Sequence, residues 1–177
     1  MSRTHLHLLA LGLAVAVSAV LVIWLLASGG SSTTTTAGDR PTLVSQAQLE
    51  RFAGAVDFPV QWAGPNPGFS YELTAAPGRI WVRYLPKGVN GGDPRPNYLV
   101  VGTYKQPHAY AGLLHAAKQP GTVSKKIADG GLLVYSTARP TSVYFSYPGV
   151  KYQVEVYAPS PETARSLVLD GKITPVA

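Results

Sequence analysis

His108 and His115 are the first residues in this chain that could serve as a catalytic base or a metal ligand. Seven positions apart, they share one face of a helix but stand about 10 Å apart along its axis. One metal ion cannot be held directly by both. Tyr110, Leu113, Leu114 and Ala117 form the opposite, apolar face, which turns the histidines to water. A histidine base also needs a partner within hydrogen-bond reach, and the local sequence supplies none.

Asp93 and Arg95, in the stretch GGDPRP, are the next candidates. A carboxylate and a guanidinium in a glycine-rich loop can bind a ligand. An Asp before proline also initiates turns, and Asp93 is expected to do so. The glycines match neither the strand–GxGxxG–helix nor the GxxxxGK[ST] phosphate-binding pattern. There is no GxSxG, and no serine stands three residues before a lysine. No acidic run offers calcium an EF-hand set of oxygens, and neither a metal nor a cofactor is expected.

Tyrosine is the residue type that stands out. There are ten, most of them in strand-like stretches. Along 143–147, Val143, Phe145 and Tyr147 alternate onto one face, with Tyr144 on the other beside Ser142 and Ser146. Tyr157 likewise alternates away from Val156. Tyr144 and Tyr157, exposed, would make a binding platform for a glycan or protein, with Lys151, Arg83 or Arg79 as added contacts. The plainer explanation is that tyrosine favours sheets.

The elements that position these residues are legible as a series. Ser45–Val56 reads as a helix: Ser45 caps it, Gln48 completes a capping box, and Leu49, Phe52, Ala53 and Val56 share a stripe. YELT and IWVRYL form a hairpin about AAPGR, and PKGVNGGDPRPN is a loop. YLVVGTY (98–104) is an interior strand, and Pro107 opens a helix that runs to about Lys118. GTVSKKIA, LLVYS, TSVYFSY and VKYQVEVY are strands, the last half-buried and turned back at Pro148-Gly149. Ser160, Pro161 and Glu162 open a final helix that Gly171 ends. Hairpins with helices packed on them imply an α+β domain with a mainly antiparallel sheet and about three helices, over residues 42–177.

The segment before that domain is of another kind. Residues 8–27, LLALGLAVAVSAVLVIWLLA, are uncharged, and twenty helical residues span about 30 Å, the thickness of a bilayer core. Arg3 precedes the span and no basic residue follows until Arg40, so residues 1–7 stay in the cytoplasm and the domain is sent across. The rival is a signal peptide cut near Gly29, but its apolar core would be longer than the usual 7–15 residues. Gly12 stands alone in the span, so no GxxxG directs helix pairing. Residues 28–41 are a Gly/Ser/Thr-rich flexible linker.

Composition narrows the classes further. Charged residues make up 14% and hydrophobic ones 46%, which suits a folded body. The absence of cysteine excludes disulfides, thiolate metal sites, a cysteine nucleophile and a lipidated cysteine. A net charge of +6 with only one adjacent basic pair, Lys125-Lys126, does not make a nucleic-acid stripe, and no nucleic acid is expected.

The closing stretch YQVEVYAPSPETARSLVLDGKITPV resembles the end of small bacterial extracytoplasmic domains that follow a single anchor. The Ala/Pro/Gly-rich style resembles actinobacterial envelope proteins. The resemblance implies an uncharacterised single-pass membrane protein and carries no functional residue. The expected function is a tethered extracytoplasmic binding or accessory domain that contacts an envelope protein or polymer, with the bilayer held through residues 8–27. The alternative is an envelope hydrolase or transferase whose site uses His108, His115, Asp93 and Arg95.

Overall fold

In the computed structural model, residues 40–177 are described. The expected membrane span at 8–27, most of the linker and the cleavage alternative near Gly29 lie outside the described residues. No described helix is long and apolar enough to cross a membrane.

Eight strands form one antiparallel sheet, and two short strands form a second. In chain order the elements are β1 (Thr42–Val44), α1 (Gln46–Ala53), β2 (Gln61–Trp62), β3 (Phe69–Ala76), β4 (Arg79–Pro86) and β5 (Val100–Lys105). Then come α2 (Ala109–Ala116), β6 (Thr122–Lys126), β7 (Leu132–Ser136), β8 (Ser142–Ser146), β9 (Tyr152–Tyr157), α3 (Pro161–Leu169) and β10 (Thr174–Pro175). The large sheet runs β1-β3-β4-β5-β9-β8-β7-β6, and β10 pairs with β2. Two meanders are thus joined through α2, and their seam is the β5–β9 ladder, with Gly102 opposite Glu155.

The expected α+β class, the mainly antiparallel sheet and three helices are present among the described residues. Local chemistry explains the helix ends. The Ser45 hydroxyl accepts from the Gln48 amide at 3.3 Å and Gln48 Oε1 accepts from the Ser45 amide at 2.7 Å, closing the capping box. Ser160 caps α3 with Pro161 in its first turn, and Gly171, at φ 63°, turns the chain out of it. Pro107 lies one residue outside the N-cap of α2, and that helix stops at Ala116.

One face of the sheet carries the main core. Tyr71, Leu73, Val82, Tyr84, Val101, Val143, Phe145, Val154 and Val156 are packed with Leu49 of α1 and Ala164 and Val168 of α3. Each fully buried valine or leucine contributes about 1.5–3 kcal/mol against exposure. The turn-rich passage before β3 is fastened to this face by hydroxyls: the Gln61 amide donates to Thr103 at 3.0 Å, the Ala63 amide to Tyr84 at 2.8 Å. So two amides of a segment with few ladder bonds find partners on the sheet.

The other face is covered in two places. α2 packs over β7, β8 and β9, burying Leu113 with Leu132 and Val134. At the opposite end the 87–97 loop is pinned over β3 and β4. The apolar face expected on α2 is narrower than the sequence suggested: Leu113 and Ala109 are buried, while Leu114 is exposed.

Candidate functional site

The half-buried strip between those two covers holds a cluster of polar and aromatic side chains. Directly opposed residues in an antiparallel ladder share a face, so Thr74, Trp81, Gly102, Glu155 and Tyr144 form one row across β3, β4, β5, β9 and β8. Tyr104 lies two residues along from Gly102 on the same face. Its hydroxyl donates to Glu155 Oε2 at 2.5 Å and accepts from the Trp81 indole N–H at 3.0 Å. The Tyr144 hydroxyl donates to Glu155 Oε1 at 3.0 Å.

Gly102 permits this arrangement. A β-carbon there would stand 2.9 Å from Trp81 Cδ1 and 3.0 Å from the Tyr104 ring and hydroxyl. Without it, the phenol leans back over the strand and reaches both partners. The Trp81 and Tyr104 rings meet edge to face, 5.9 Å apart at 86°. Arg79, across from Tyr104, lays its guanidinium 5.7 Å from the Trp81 ring centre. Burial, and then the Glu155 charge, push the Tyr104 and Tyr144 phenols well above the usual range, so both hydroxyls stay protonated as donors.

No protein-family model matches the chain, and the comparisons with curated proteins and with solved structures likewise find no match. The chemistry of this face therefore stands on its own residues.

The expected tyrosine platform needs correction. Tyr144 is half-buried, packed against the cluster beneath α2 with its hydroxyl on Glu155. Tyr157 is half-buried too, and its hydroxyl donates to the Pro96 carbonyl at 2.5 Å. The alternation placed both on the right face, but that face is covered. Lys151 is exposed just before β9 and Tyr157 ends it, so the strand's length, about 20 Å, separates them. Tyr144 and Tyr157 are not the exposed pair that the alternation suggested.

Asp93 and Arg95 are paired, but as loop structure. Arg95 Nη2 meets Asp93 Oδ2 at 2.6 Å, and the Arg95 amide donates to Asp93 Oδ1 at 2.9 Å, closing the turn. The Arg95 guanidinium hydrogen bond holds the Asp93 carboxyl well below the usual carboxylate range. Arg83 anchors the same loop. It donates to buried Glu72 at 3.1 Å and to the Arg95 carbonyl at 2.7 Å, and it lies 4.6 Å from the Tyr98 ring centre. Glu72 also accepts from the Gly92 amide.

His108 and His115 are both exposed. His108 is the N-cap residue of α2 but makes no side-chain capping bond. His115 Nε2 meets the Gln119 amide at 3.3 Å. His108 and Lys151 come together at a surface hollow of about 250 Å³, with Pro107, Tyr110 and Gly149 among its walls. That hollow has no carboxylate to orient an imidazole. Among the described residues, no group of three or more His, Cys, Asp or Glu is placed to hold a metal ion.

Glu155, Tyr104, Trp81 and Gly102 were not singled out by the sequence. Glu155 alternates with valines in β9 and reads as a solvated position. The signal that could have found it is the pair of strand tyrosines and a tryptophan around a lone strand glycine, since Gly inside a strand marks close approach.

Proposed function

We propose that this chain is a single-pass, membrane-tethered binding module. Its α+β domain stands outside the membrane and engages an envelope polymer through the sheet face centred on Glu155. One observation carries the reading. Glu155 is a half-buried carboxylate set between aromatic rings and held by two neutral hydroxyls, and no basic side chain of the described residues forms an ion pair with it.

Three other carboxylates on strands and loops have a different character: Glu72 is paired with Arg83, Asp93 with Arg95, and Asp57 with Lys105. A carboxylate without an internal counter-ion carries a desolvation cost that a ligand donor can offset. Aromatic planes beside a hydrogen-bonding carboxylate suit a sugar polymer, which offers ring faces to the one and hydroxyl donors to the other. The uncharged segment at 8–27 and the linker after it supply the means of presentation.

The test is co-sedimentation of the full-length protein, solubilised in mild detergent, with protein-stripped envelope polymer. The wild type is expected to pellet, and Glu155→Gln to remain in the supernatant while still unfolding cooperatively. A wild type that stays soluble, or a Glu155→Gln variant that pellets equally, overturns the reading. So does recovery of the protein only with a protein-bearing envelope fraction.

A further inference from the structure

We infer that the face around Glu155 binds a protonated amine, with Glu155 as counter-charge and Trp81 and Tyr104 as aromatic walls, so that the polymer it engages carries free ammonium groups. This rests on the reading of that face as the ligand surface and narrows the ligand to one chemistry.

Three observations converge on a cation. The first is the hydrogen-bond inventory of the carboxylate. An ionised carboxylate accepts at about four lone-pair positions. Tyr104 uses one on Oε2 and Tyr144 one on Oε1, so each oxygen retains accepting capacity. Both partners are neutral donors, so the negative charge is oriented but not neutralised. A neutral ligand would leave it so, and an anionic one would be repelled.

The second is the placing of the rings. Trp81 and Tyr104 stand nearly perpendicular, at 86°, and the Trp81 N–H is bonded to the hydroxyl that reaches Glu155. Ring faces attract cations within about 6 Å of their centre, and a corner of two rings beside a carboxylate satisfies an ammonium group by both means.

The third is preorganisation. A β-carbon on Gly102 would collide with Trp81 and Tyr104, so the bare backbone at this position is what lets the rings and carboxylate stand as they do. The donors on Glu155 come from β5 and β8, both ladder partners of β9, rather than from a loop. Rigid strands hold a site closer to its binding geometry than loops do. The long-range field does not supply this preference, because the chain's net charge is +6. Selection for a cation is local.

The experiment follows the indole N–H signal of Trp81 by NMR in the full-length protein, the signal being identified by its loss in Trp81→Phe. Tetramethylammonium chloride, glucosamine hydrochloride and N-acetylglucosamine are titrated at constant ionic strength near neutral pH. Glucosamine and its N-acetyl form share a ring and differ in the charge. Saturable shifts are expected with tetramethylammonium and glucosamine and none with N-acetylglucosamine over the same range. Glu155→Gln is expected to weaken the glucosamine response by at least about tenfold, the scale of one charged hydrogen bond. Equal responses to the two sugars, no saturable response to either ammonium, or an unchanged response in Glu155→Gln overturns the inference. If Glu155→Gln does not fold, the wild-type contrast between the two sugars decides alone. Should the ammonium probes fail while the wild type still pellets with polymer in a Glu155-dependent way, the amine is overturned and the binding face stands. Failure of both removes the face itself.

Discussion

Tyr104 and Glu155 lie 51 positions apart in the chain and meet hydroxyl to carboxylate at 2.5 Å across the β5–β9 seam. The contact ties the two meanders together on the face opposite the main core. It also sets the orientation of the carboxylate on which the proposed ligand chemistry depends.

Removing that hydroxyl has a measurable cost. Hydrogen bonds to charged groups contribute about 1.5–3 kcal/mol, and the partial exposure of Glu155 places Tyr104→Phe near the lower end. Tyr144→Phe, with a bond of 3.0 Å, is expected to cost less. Urea unfolding of Tyr104→Phe, Glu155→Gln and the double variant should give a coupling of at least about 0.5 kcal/mol. Additive single effects would mean that the contact is not energetically coupled.

The 87–97 loop should depend on Arg83 alone among its basic neighbours. Glu72 is 3% exposed, so Arg83→Ala leaves a buried carboxylate with only the Gly92 amide. Breaking a buried pair costs about 3–5 kcal/mol, and the remaining amide bond points to the lower figure. Arg83→Lys should not restore the loop, because one ammonium cannot serve both Glu72 and the Arg95 carbonyl as the planar fork does. Hydrogen exchange across 87–97 should rise in both variants and stay unchanged in Arg95→Ala at its β3 and β4 neighbours. Unaltered exchange in Arg83→Ala would show that the loop is held by other means.

Alkaline pH should destabilise the domain. Burial pushes the Tyr84, Tyr104 and Tyr144 phenols up, and in the folded chain they keep their protons where an unfolded chain loses them, near pH 10. Above that pH the unfolded state binds fewer protons, so stability falls as pH rises; below it the contribution is fully present. The thermal midpoint should be level from pH 8 to about 9.5 and then decline. The decline should be shallower in the Tyr104→Phe/Tyr144→Phe variant. A midpoint that holds level or rises above pH 10 contradicts the burial of these phenols.

Local rules made much of the fold legible. Ser45 with Gln48, and Ser160 with Pro161, mark helix starts whose chemistry lies within four residues. The hairpin of β3 and β4 and the meander to β9 follow from alternation and turns. Missed were β1, β2 and β10, strands of two or three residues whose pairing depends on distant partners. The second face of the sheet was missed for the same reason. Gln153 and Glu155 alternate with valines as solvated residues do, yet Gln153 is buried and Glu155 half-buried, because α2 and the tyrosines cover that side. A covered face shows in a sequence only if its residues are apolar, and Glu155 is a polar group held by tyrosine hydroxyls. Asp93 and Arg95 were legible as a turn, because their bonds are local. The site was not, because its row is assembled by the β5–β9 seam.

The proposed engagement of an envelope polymer puts the domain outside the membrane, and the proposed span at 8–27 keeps it attached. The chain has no cysteine, so a single one at Ser32 reports the position of the linker without background. Intact cells expressing Ser32→Cys would be treated with a membrane-impermeant maleimide and then fractionated. Labelled protein in the membrane fraction is the predicted result. Protein found only in the medium would contradict the tether, and membrane-bound protein labelled only after lysis would contradict the outward orientation.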